Sequence, residues 1–140
     1  MKKIAISKKI YASILEHANN ELPNEACGLI AGTEDENTRT IEKVYMLTNV
    51  DKSPEHFSLS PSEQLLTVKD IRANGLKLLG NWHSHPSSPS RPSAEDIRLA
   101  FDRSMSYLIL SLMNRNEPVL NSFHIENGTS TQEEIYFTGE

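Results

Sequence analysis

The amino-acid sequence predicts an α/β fold, in which helices cover the faces of a β-sheet. Segments with helical spacing of apolar residues alternate along the chain with short apolar runs that have the composition of strands. This alternation is typical of a layered α/β/α domain. The 140 residues, 37% of them hydrophobic, match the size of one domain with its own core. The chain contains neither an internal repeat nor a linker, so we expect residues 1–140 to form a single domain.

In the first half of the chain, capping residues mark the ends of two predicted helices. Ser7 fits the N-cap of a first helix, and Pro61 fits the first turn of a second helix, where its missing N–H is not needed. The predicted elements are helices at 7–20 and 60–74, strands at 25–32 and 41–48 with a turn at 33–39 between them, and a short extended piece at 57–59 that joins the same sheet.

The second half is predicted to consist mainly of strands. The segment 87–92 is rich in proline and serine and is therefore predicted to be an irregular loop. Ser93 begins a helix that continues through Ile97 to Phe101. The predicted strands are 76–82, which leads into His83-Ser84-His85-Pro86, and 107–112, 119–125 and 134–137.

Composition and charge argue against several classes of function. A formal net charge of -5 is unfavourable for a protein that binds nucleic acid through phosphate contacts. No run approaches the roughly 20 apolar residues of a membrane helix, and the N-terminal lysines do not precede the apolar core of a signal peptide. We therefore expect a soluble, cytoplasmic protein that binds neither nucleic acid nor membrane. The lone Cys27 cannot form an intramolecular disulfide, and we expect it to be a small core residue.

The pattern His83-Ser84-His85 is a candidate for a metal site. Residues two apart on an extended strand point to the same side, so both imidazoles can reach one ion. A catalytic zinc typically has three protein ligands and leaves its fourth position to water. Asp96, in the first turn of the next predicted helix, is the candidate for the third ligand, and the helix dipole favours a carboxylate there.

These residues also have ordinary structural interpretations. A His-x-His pair can arise by coincidence in a surface loop, and Ser93-Ala94-Glu95-Asp96 fits a capping box in which Ser93 is the N-cap. We expect Asp96 either to ligate a metal or to cap its helix fully, but not to do both. Taken alone, the spacing leaves both interpretations open.

Three motifs together favour the metal site. They are Glu25 with the run Cys27-Gly28-Leu29-Ile30-Ala31-Gly32, then Asn81-Trp82-His83-Ser84-His85-Pro86, then Pro92-Ser93-Ala94-Glu95-Asp96-Ile97. This pattern strongly resembles the JAMM metalloproteases, the catalytically active group of MPN domains. Their signature is an upstream glutamate, then His-x-His, seven residues, serine, two residues and aspartate. In this chain, residues 86–92 supply the seven and residues 94–95 supply the two.

The resemblance implies a fold and a set of roles. It implies a curved mixed sheet between helices, similar to the cytidine deaminase architecture, and one Zn²⁺ per chain. It implies that His83, His85 and Asp96 ligate the zinc, that Glu25 lies near the reacting water, and that Ser93 lies near the carbonyl under attack. Deamination itself is not expected, because the single cysteine cannot supply the Cys-x-x-Cys of a deaminase zinc site.

The resemblance also implies a class of substrate. Members of this family commonly cleave the peptide or isopeptide bond after the glycine-ended tail of ubiquitin or a ubiquitin-like protein, and the short prokaryotic members resemble enzymes that trim sulfur carrier proteins. The alternative is a non-catalytic MPN-type scaffold for protein interactions. A hydrolase of small molecules, or of cell-wall or phage-related peptides, also stays open. The shape of the cleft discriminates between substrates, since an open groove fits a tail and a closed pit fits a metabolite.

Overall fold

The computed structural model describes residues 2–139, and within them the chain forms eight strands and three helices. In chain order the elements are β1 (Lys3–Ser7), α1 (Lys8–Glu21), β2 (Cys27–Glu34), β3 (Thr38–Leu47), α2 (Pro61–Ala73), β4 (Lys77–His85), α3 (Ala94–Arg98), β5 (Ser106–Ser111), β6 (Val119–Glu126), β7 (Thr129–Glu133) and β8 (Ile135–Thr138). None of the helices in this part of the chain is long and apolar enough to cross a membrane.

All eight strands belong to one mixed sheet with the order β7-β6-β5-β4-β2-β3-β1-β8. β4 pairs with β5 in parallel, and β1 pairs in parallel with both β3 and β8, whereas the other neighbours are antiparallel. Only Glu134 separates β7 from β8, although these two strands stand at opposite ends of the order. The sheet is therefore strongly curved and nearly closed, as the resemblance implied.

Helices cover both faces of this sheet. α1 buries Ile14 and Ala18 in the main core, which also contains Trp82, Leu108 and Leu110. On the other face, Ile97 and the residues after α3 pack against a second cluster, which consists of Tyr107, Ile109, Phe123 and Ile125. α2 lies on this second face too, because the Tyr45 hydroxyl donates to Asp70 of α2 at 2.6 Å. The predicted α/β/α layering is confirmed.

A buried tryptophan links two strands at the centre of the sheet, β4 and β3. Trp82 is fully buried, and its indole Nε1 donates to the Tyr45 carbonyl at 3.1 Å, across Gly28. A Cβ on Gly28 would lie 2.4 Å from this nitrogen and 1.8 Å from the carbonyl oxygen, so only glycine fits there. Because side chains alternate along a strand, burying Trp82 on the α1 face turns His83 and His85 toward the face of α2 and α3.

Several predicted boundaries are confirmed by hydrogen bonds. Ser7 caps α1 by accepting from the Ile10 amide at 3.1 Å, and Ser60 caps α2, in which Pro61 is the first residue. Cys27 is buried as predicted, and burial raises the pKa of its thiol to about 12. The strand predicted before His83 is β4, which includes both histidines.

Other predictions about the elements were wrong. Residues 57–59 belong to no strand but form part of an irregular loop, and α3 ends at Arg98 rather than at Phe101, which is exposed. β1 and β7 were not predicted. β1 is a five-residue strand with the short apolar run Ile4-Ala5-Ile6, and it pairs with β3 and β8.

Candidate active site

The site is a triangle of three side chains at the end of β4. The Nε2 atoms of His83 and His85 lie 3.1 Å apart, and the Oδ2 atom of Asp96 lies 3.2 Å and 3.1 Å from them, respectively. Both histidines are buried, with 3% and 4% of their surface exposed. Among residues 2–139, this is the one group of three or more potential ligands close enough together to hold a metal ion.

A hydrogen bond orients the ring of His85, and an aromatic contact orients the ring of His83. His85 Nδ1 donates to the Pro89 carbonyl at 2.9 Å, since a carbonyl oxygen can only accept. In the neutral ring this leaves the Nε2 lone pair directed at the triangle. The ring of His83 is stacked by Phe57, with 4.7 Å between ring centroids and 29° between planes.

Asp96 takes part in a complete capping box at the start of α3. Its Oδ2 accepts from the Ser93 amide at 2.9 Å, and the Ser93 hydroxyl accepts from the Asp96 amide at 3.0 Å. The same Oδ2 faces both histidines. Full capping therefore does not turn the carboxylate away from the histidines, because a carboxylate oxygen has more than one lone pair. That Asp96 ligates a metal stays a prediction.

Burial and hydrogen bonding shift the pKa values of the three groups in different directions. Burial lowers the pKa of His83 and therefore favours its neutral form. Burial acts in the same direction on His85, but bonds to Asp96 and to the Pro89 carbonyl outweigh it and raise that pKa. Burial would raise the pKa of Asp96, yet the hydrogen bonds from the two histidines hold it well below its usual range, so Asp96 is a carboxylate.

The dimensions of the triangle suit zinc. Tetrahedral zinc binds nitrogen and oxygen at about 2.0–2.1 Å, which separates neighbouring ligand atoms by roughly 3.3 Å. The observed edges of 3.1 and 3.2 Å approach this value. Two imidazoles and one carboxylate also form a donor set of the type used by catalytic zinc, with one position left open.

Glu25 lies in the segment just before β2, with 3% of its surface exposed. Its Oε1 is buried and has no hydrogen-bond partner among residues 2–139. Burial raises the pKa of Glu25 to about 8, the charge of His85 lowers it, and the charge of Asp96 raises it. These interactions place the Glu25 carboxyl within electrostatic range of the triangle.

An open trough leads away from the triangle across the sheet. A cavity of about 330 Å³ next to His83 and Asp96 continues into a second cavity of about 280 Å³ between α2 and the chain after α3. The lining residues shared by both cavities are Leu59, Gln64, Asn81, Leu99, Phe101 and Tyr107. The trough is mainly apolar, and exposed Phe101 forms part of its rim.

The structure brings His83, His85 and Asp96 into contact, places Ser93 beside Asp96 and buries Glu25 nearby. Sequence reasoning missed other residues that shape the site, namely Asn49, Phe57, Pro89, Ser90 and Ser111. The sequence shows Phe57 only as part of an expected strand. The others act through contacts with residues distant along the chain or through a backbone carbonyl, for which the sequence contains no motif.

Comparison with known proteins identifies the family. A family model described as prokaryotic homologs of the JAB domain matches residues 7–126. This chain belongs to that family. The CysO-cysteine peptidase of Mycobacterium tuberculosis is 27% identical to this JAB-family chain over 132 residues, which is 94% of this chain and 89% of the relative. A desampylase of Haloferax volcanii is 32% identical over 114 residues, which is 78% of this chain and 81% of the relative.

A solved structure agrees with the fold of this JAB-family chain. The solution structure of a protein from Desulfitobacterium hafniense has a TM-score of 0.91 and 54% sequence identity, and the match covers 98% of this chain and 94% of that one. The resemblance to short prokaryotic JAMM-type proteins is confirmed. Because one relative is named as a peptidase, the comparison supports a hydrolase role for this chain.

Proposed function

We propose that this JAB-family chain is a zinc-dependent peptidase that cleaves the peptide or isopeptide bond after the C-terminal tail of a ubiquitin-like or sulfur carrier protein. The observation that carries the proposal is the convergence of two imidazole nitrogens and one carboxylate oxygen within 3.2 Å of one another. We also propose that residues 1–140 form a single domain of this type.

In this proposal His83, His85 and Asp96 hold one zinc ion per chain. When bound, zinc polarises the scissile carbonyl as a Lewis acid and makes water reactive at neutral pH. The Pro89 carbonyl keeps His85 in the tautomer whose Nε2 can ligate. The capping box keeps the Asp96 carboxylate directed toward both rings.

Glu25 is proposed to move the proton. A carboxyl can accept a proton in one step of a hydrolysis and return it in a later step, and Glu25 is buried within electrostatic range of the triangle. Its Oε1 has no competing partner among residues 2–139, which leaves this oxygen free to accept a proton from the attacking water. The same carboxyl then passes the proton to the departing nitrogen.

Ser93 is proposed to donate a hydrogen bond to the carbonyl oxygen as negative charge develops on it. Its hydroxyl accepts from the Asp96 amide at 3.0 Å, and a hydroxyl that accepts one bond keeps its own proton for donation. Ser93 is exposed at the start of α3, so a substrate can reach it.

The shape of the cleft supports a peptide tail as the substrate. The trough is open and runs from His83 past Asn81, and these two residues lie on the same face of β4. Because an extended chain advances about 3.3 Å per residue, the two cavities together can take several residues of a tail. The mycobacterial relative is named CysO-cysteine peptidase, which agrees with the expected release of an added residue from a carrier protein.

The non-catalytic scaffold is the weaker alternative. A scaffold does not require a complete set of ligands, a buried carboxyl without a partner and an open trough at one place. In this chain two of the three ligands line the trough, and the Glu25 carboxyl lies within electrostatic range of His85 and Asp96.

The metal is tested first. Protein purified without chelator is analysed for zinc per chain, as wild type, His85→Ala, Asp96→Ala and the control His124→Ala, which removes a histidine outside the triangle. We expect about one zinc in the wild type and the control, and none in the other two variants. If the wild type binds no zinc even after reconstitution, the enzyme proposal is wrong and the scaffold becomes the better account.

The substrate is tested next with the zinc-loaded protein. The probes are a sulfur carrier protein with one cysteine added after its C-terminal glycine, and the same carrier joined through that glycine to a lysine side chain. Mass spectrometry should detect release of the added group by the wild type but not by Glu25→Ala. If the mass of every probe stays unchanged, the carrier substrate is wrong even if zinc is bound.

A further inference from the structure

Asn49 is a buried side chain whose carboxamide is fully used in hydrogen bonding. It is 4% exposed and lies just after β3. Its Nδ2 donates to the carbonyl of Glu25 at 3.0 Å and to that of His56 at 3.1 Å. Its Oδ1 accepts from the amides of Asp51 at 3.0 Å and Ser58 at 3.3 Å.

These bonds join Glu25 to the β3–α2 loop, residues 48–60. Glu25 precedes β2 and therefore lies outside the hydrogen-bond ladder of the sheet. Its amide donates to the Ser53 carbonyl at 2.8 Å, and its carbonyl accepts from Asn49. Both backbone groups of Glu25 are thus held by this one loop.

The side chain of Glu25 has little else to orient it. Its Oε1 makes no hydrogen bond with residues 2–139. Because no hydrogen bond fixes this oxygen, the direction of the carboxyl depends on the packing around it and on how firmly its backbone is held. The triangle, in contrast, has its own supports in β4, in the Pro89 carbonyl and in the capping box of Asp96.

We propose that Asn49 is a positioning residue that holds Glu25 in place for proton transfer. This inference rests on the proposed function, in which Glu25 exchanges protons with the reacting water and the departing nitrogen. Proton transfer requires close, aligned partners, and a displacement of about 1 Å in a reacting group can cost roughly 10²-fold in rate. Asn49 touches neither substrate nor metal ligand, so its loss should reduce turnover while zinc binding persists.

The decisive variant is Asn49→Asp. It has nearly the same shape, and it retains an oxygen that accepts from Asp51 and Ser58. The former Nδ2 position, however, becomes an oxygen that faces two carbonyl oxygens and cannot donate to them. Asn19→Asp is the matched control, because it makes the same change of charge and removes one exposed bond to Leu15 within α1, on the opposite face of the sheet.

Turnover of the carrier with one added cysteine is measured together with zinc content and thermal stability. We expect Asn49→Asp to keep about one zinc and a KM within twofold of the Asn19→Asp value, while kcat falls at least tenfold. A kcat within twofold of the control overturns the proposal. So does loss of zinc, or a raised KM with unchanged kcat, because Asn49 would then support the ligands or the trough rather than Glu25.

A second measurement needs no substrate. The amide hydrogen exchange of Glu25 should become at least tenfold faster in Asn49→Asp, whereas that of Ser84 on β4, which donates to the Ala26 carbonyl, should match the control. Unchanged exchange at Glu25 overturns the proposal. If Asn49→Asp does not fold, Asn49→Ser, which removes both donor bonds without adding charge, is judged by the same outcomes. Absence of turnover by the wild type would instead count against the proposed function.

Discussion

Two loops flank the site, and they are held in different ways. The β3–α2 loop is tied to Glu25 by one side chain, Asn49, and by the backbone carbonyl of Ser53. The β4–α3 loop, residues 86–93, is held against the sheet by three side-chain hydrogen bonds. They involve Ser88 and Ser90, the residues on either side of Pro89. Ser111 donates to the Ser88 carbonyl at 2.6 Å, Ser90 donates to the Ile109 carbonyl at 2.6 Å, and Asn121 donates to the Ser90 carbonyl at 3.2 Å.

The difference follows from what each loop must support. The β4–α3 loop carries the carbonyl that orients His85, and it leads into the helix that carries Asp96, so an error there displaces two corners of the triangle. The β3–α2 loop supports one residue, Glu25, whose carboxyl is proposed to exchange protons with the reacting water. We therefore expect changes at the first loop to alter zinc affinity, and changes at the second to alter turnover with zinc still bound.

The largest expected effect separates these two roles directly. Glu25→Gln removes the proposed proton acceptor, whose backbone the β3–α2 loop holds, but keeps the shape of the side chain. We expect kcat to fall by roughly 10²–10⁴, the usual contribution of general acid–base catalysis, with about one zinc per chain retained. Activity on the carrier with one added cysteine and elemental analysis of the same samples test this. Loss of zinc from Glu25→Gln would show that the two roles are not separate.

The next effect concerns Ser93, where the β4–α3 loop meets α3. If its hydroxyl binds the developing oxyanion, Ser93→Ala should lower kcat by about 10²–10³, in addition to weakening the helix cap. Ser60→Ala is the control, because Ser60 caps α2 in the same way but bonds to Ser62 and Glu63, whereas Ser93 bonds to Asp96 of the triangle. Similar kcat values for the two variants would show that Ser93 caps α3 but does not bind the oxyanion.

A smaller effect tests the hydrogen bond by which Ser111 holds the β4–α3 loop against the sheet. Ser111→Ala frees the Ser88 carbonyl next to Pro89 and should loosen the partner of His85. Groups that orient metal ligands typically contribute 10–100-fold to metal affinity, and we expect a loss of about this size in a zinc competition titration. Ser122→Ala removes another buried serine, which bonds to Glu133 outside the site, and should leave zinc affinity unchanged. Equal zinc affinities in both variants would show that the bond from Ser111 does not support His85.

This contrast also explains how much the sequence could predict. The helix starts at Ser7 and Ser60 were predictable because a cap involves residues three positions apart, and the spacing from His83 to Asp96 matches a known signature. The bond from Asn49 to Glu25 spans 24 positions, and that from Ser111 to Ser88 spans 23. Such contacts depend on the tertiary fold, and asparagine and serine are too common in loops to mark them in one sequence. Phe57 was wrongly predicted to lie in a strand, because Phe57 and Leu59 line the trough and do not belong to the sheet.

The smallest effect on the site is expected from a change outside both loops, which separates loop effects from general stability. Glu34, near the end of β2, accepts hydrogen bonds from three cations, Lys2, Arg39 and Lys77. Burial alone would raise the pKa of Glu34, but these bonds outweigh it and lower the pKa from an ordinary value near 4.5 to about 2. A carboxyl whose pKa is depressed by folding stabilises the fold above its unfolded pKa, and this stabilisation is lost as the pH falls toward its folded pKa.

The difference in Tm between wild type and Glu34→Gln should therefore be largest at and above about pH 5 and shrink between pH 4.5 and about 2. Thermal unfolding in the presence of chelator measures it without a contribution from metal, and Glu42→Gln, an exposed change of the same charge on β3, is the control. Zinc affinity and kcat of folded Glu34→Gln at neutral pH should equal those of the control. If Glu34→Gln altered either quantity, the site would depend on the stability of the whole sheet, and the two loops would not act as separate supports.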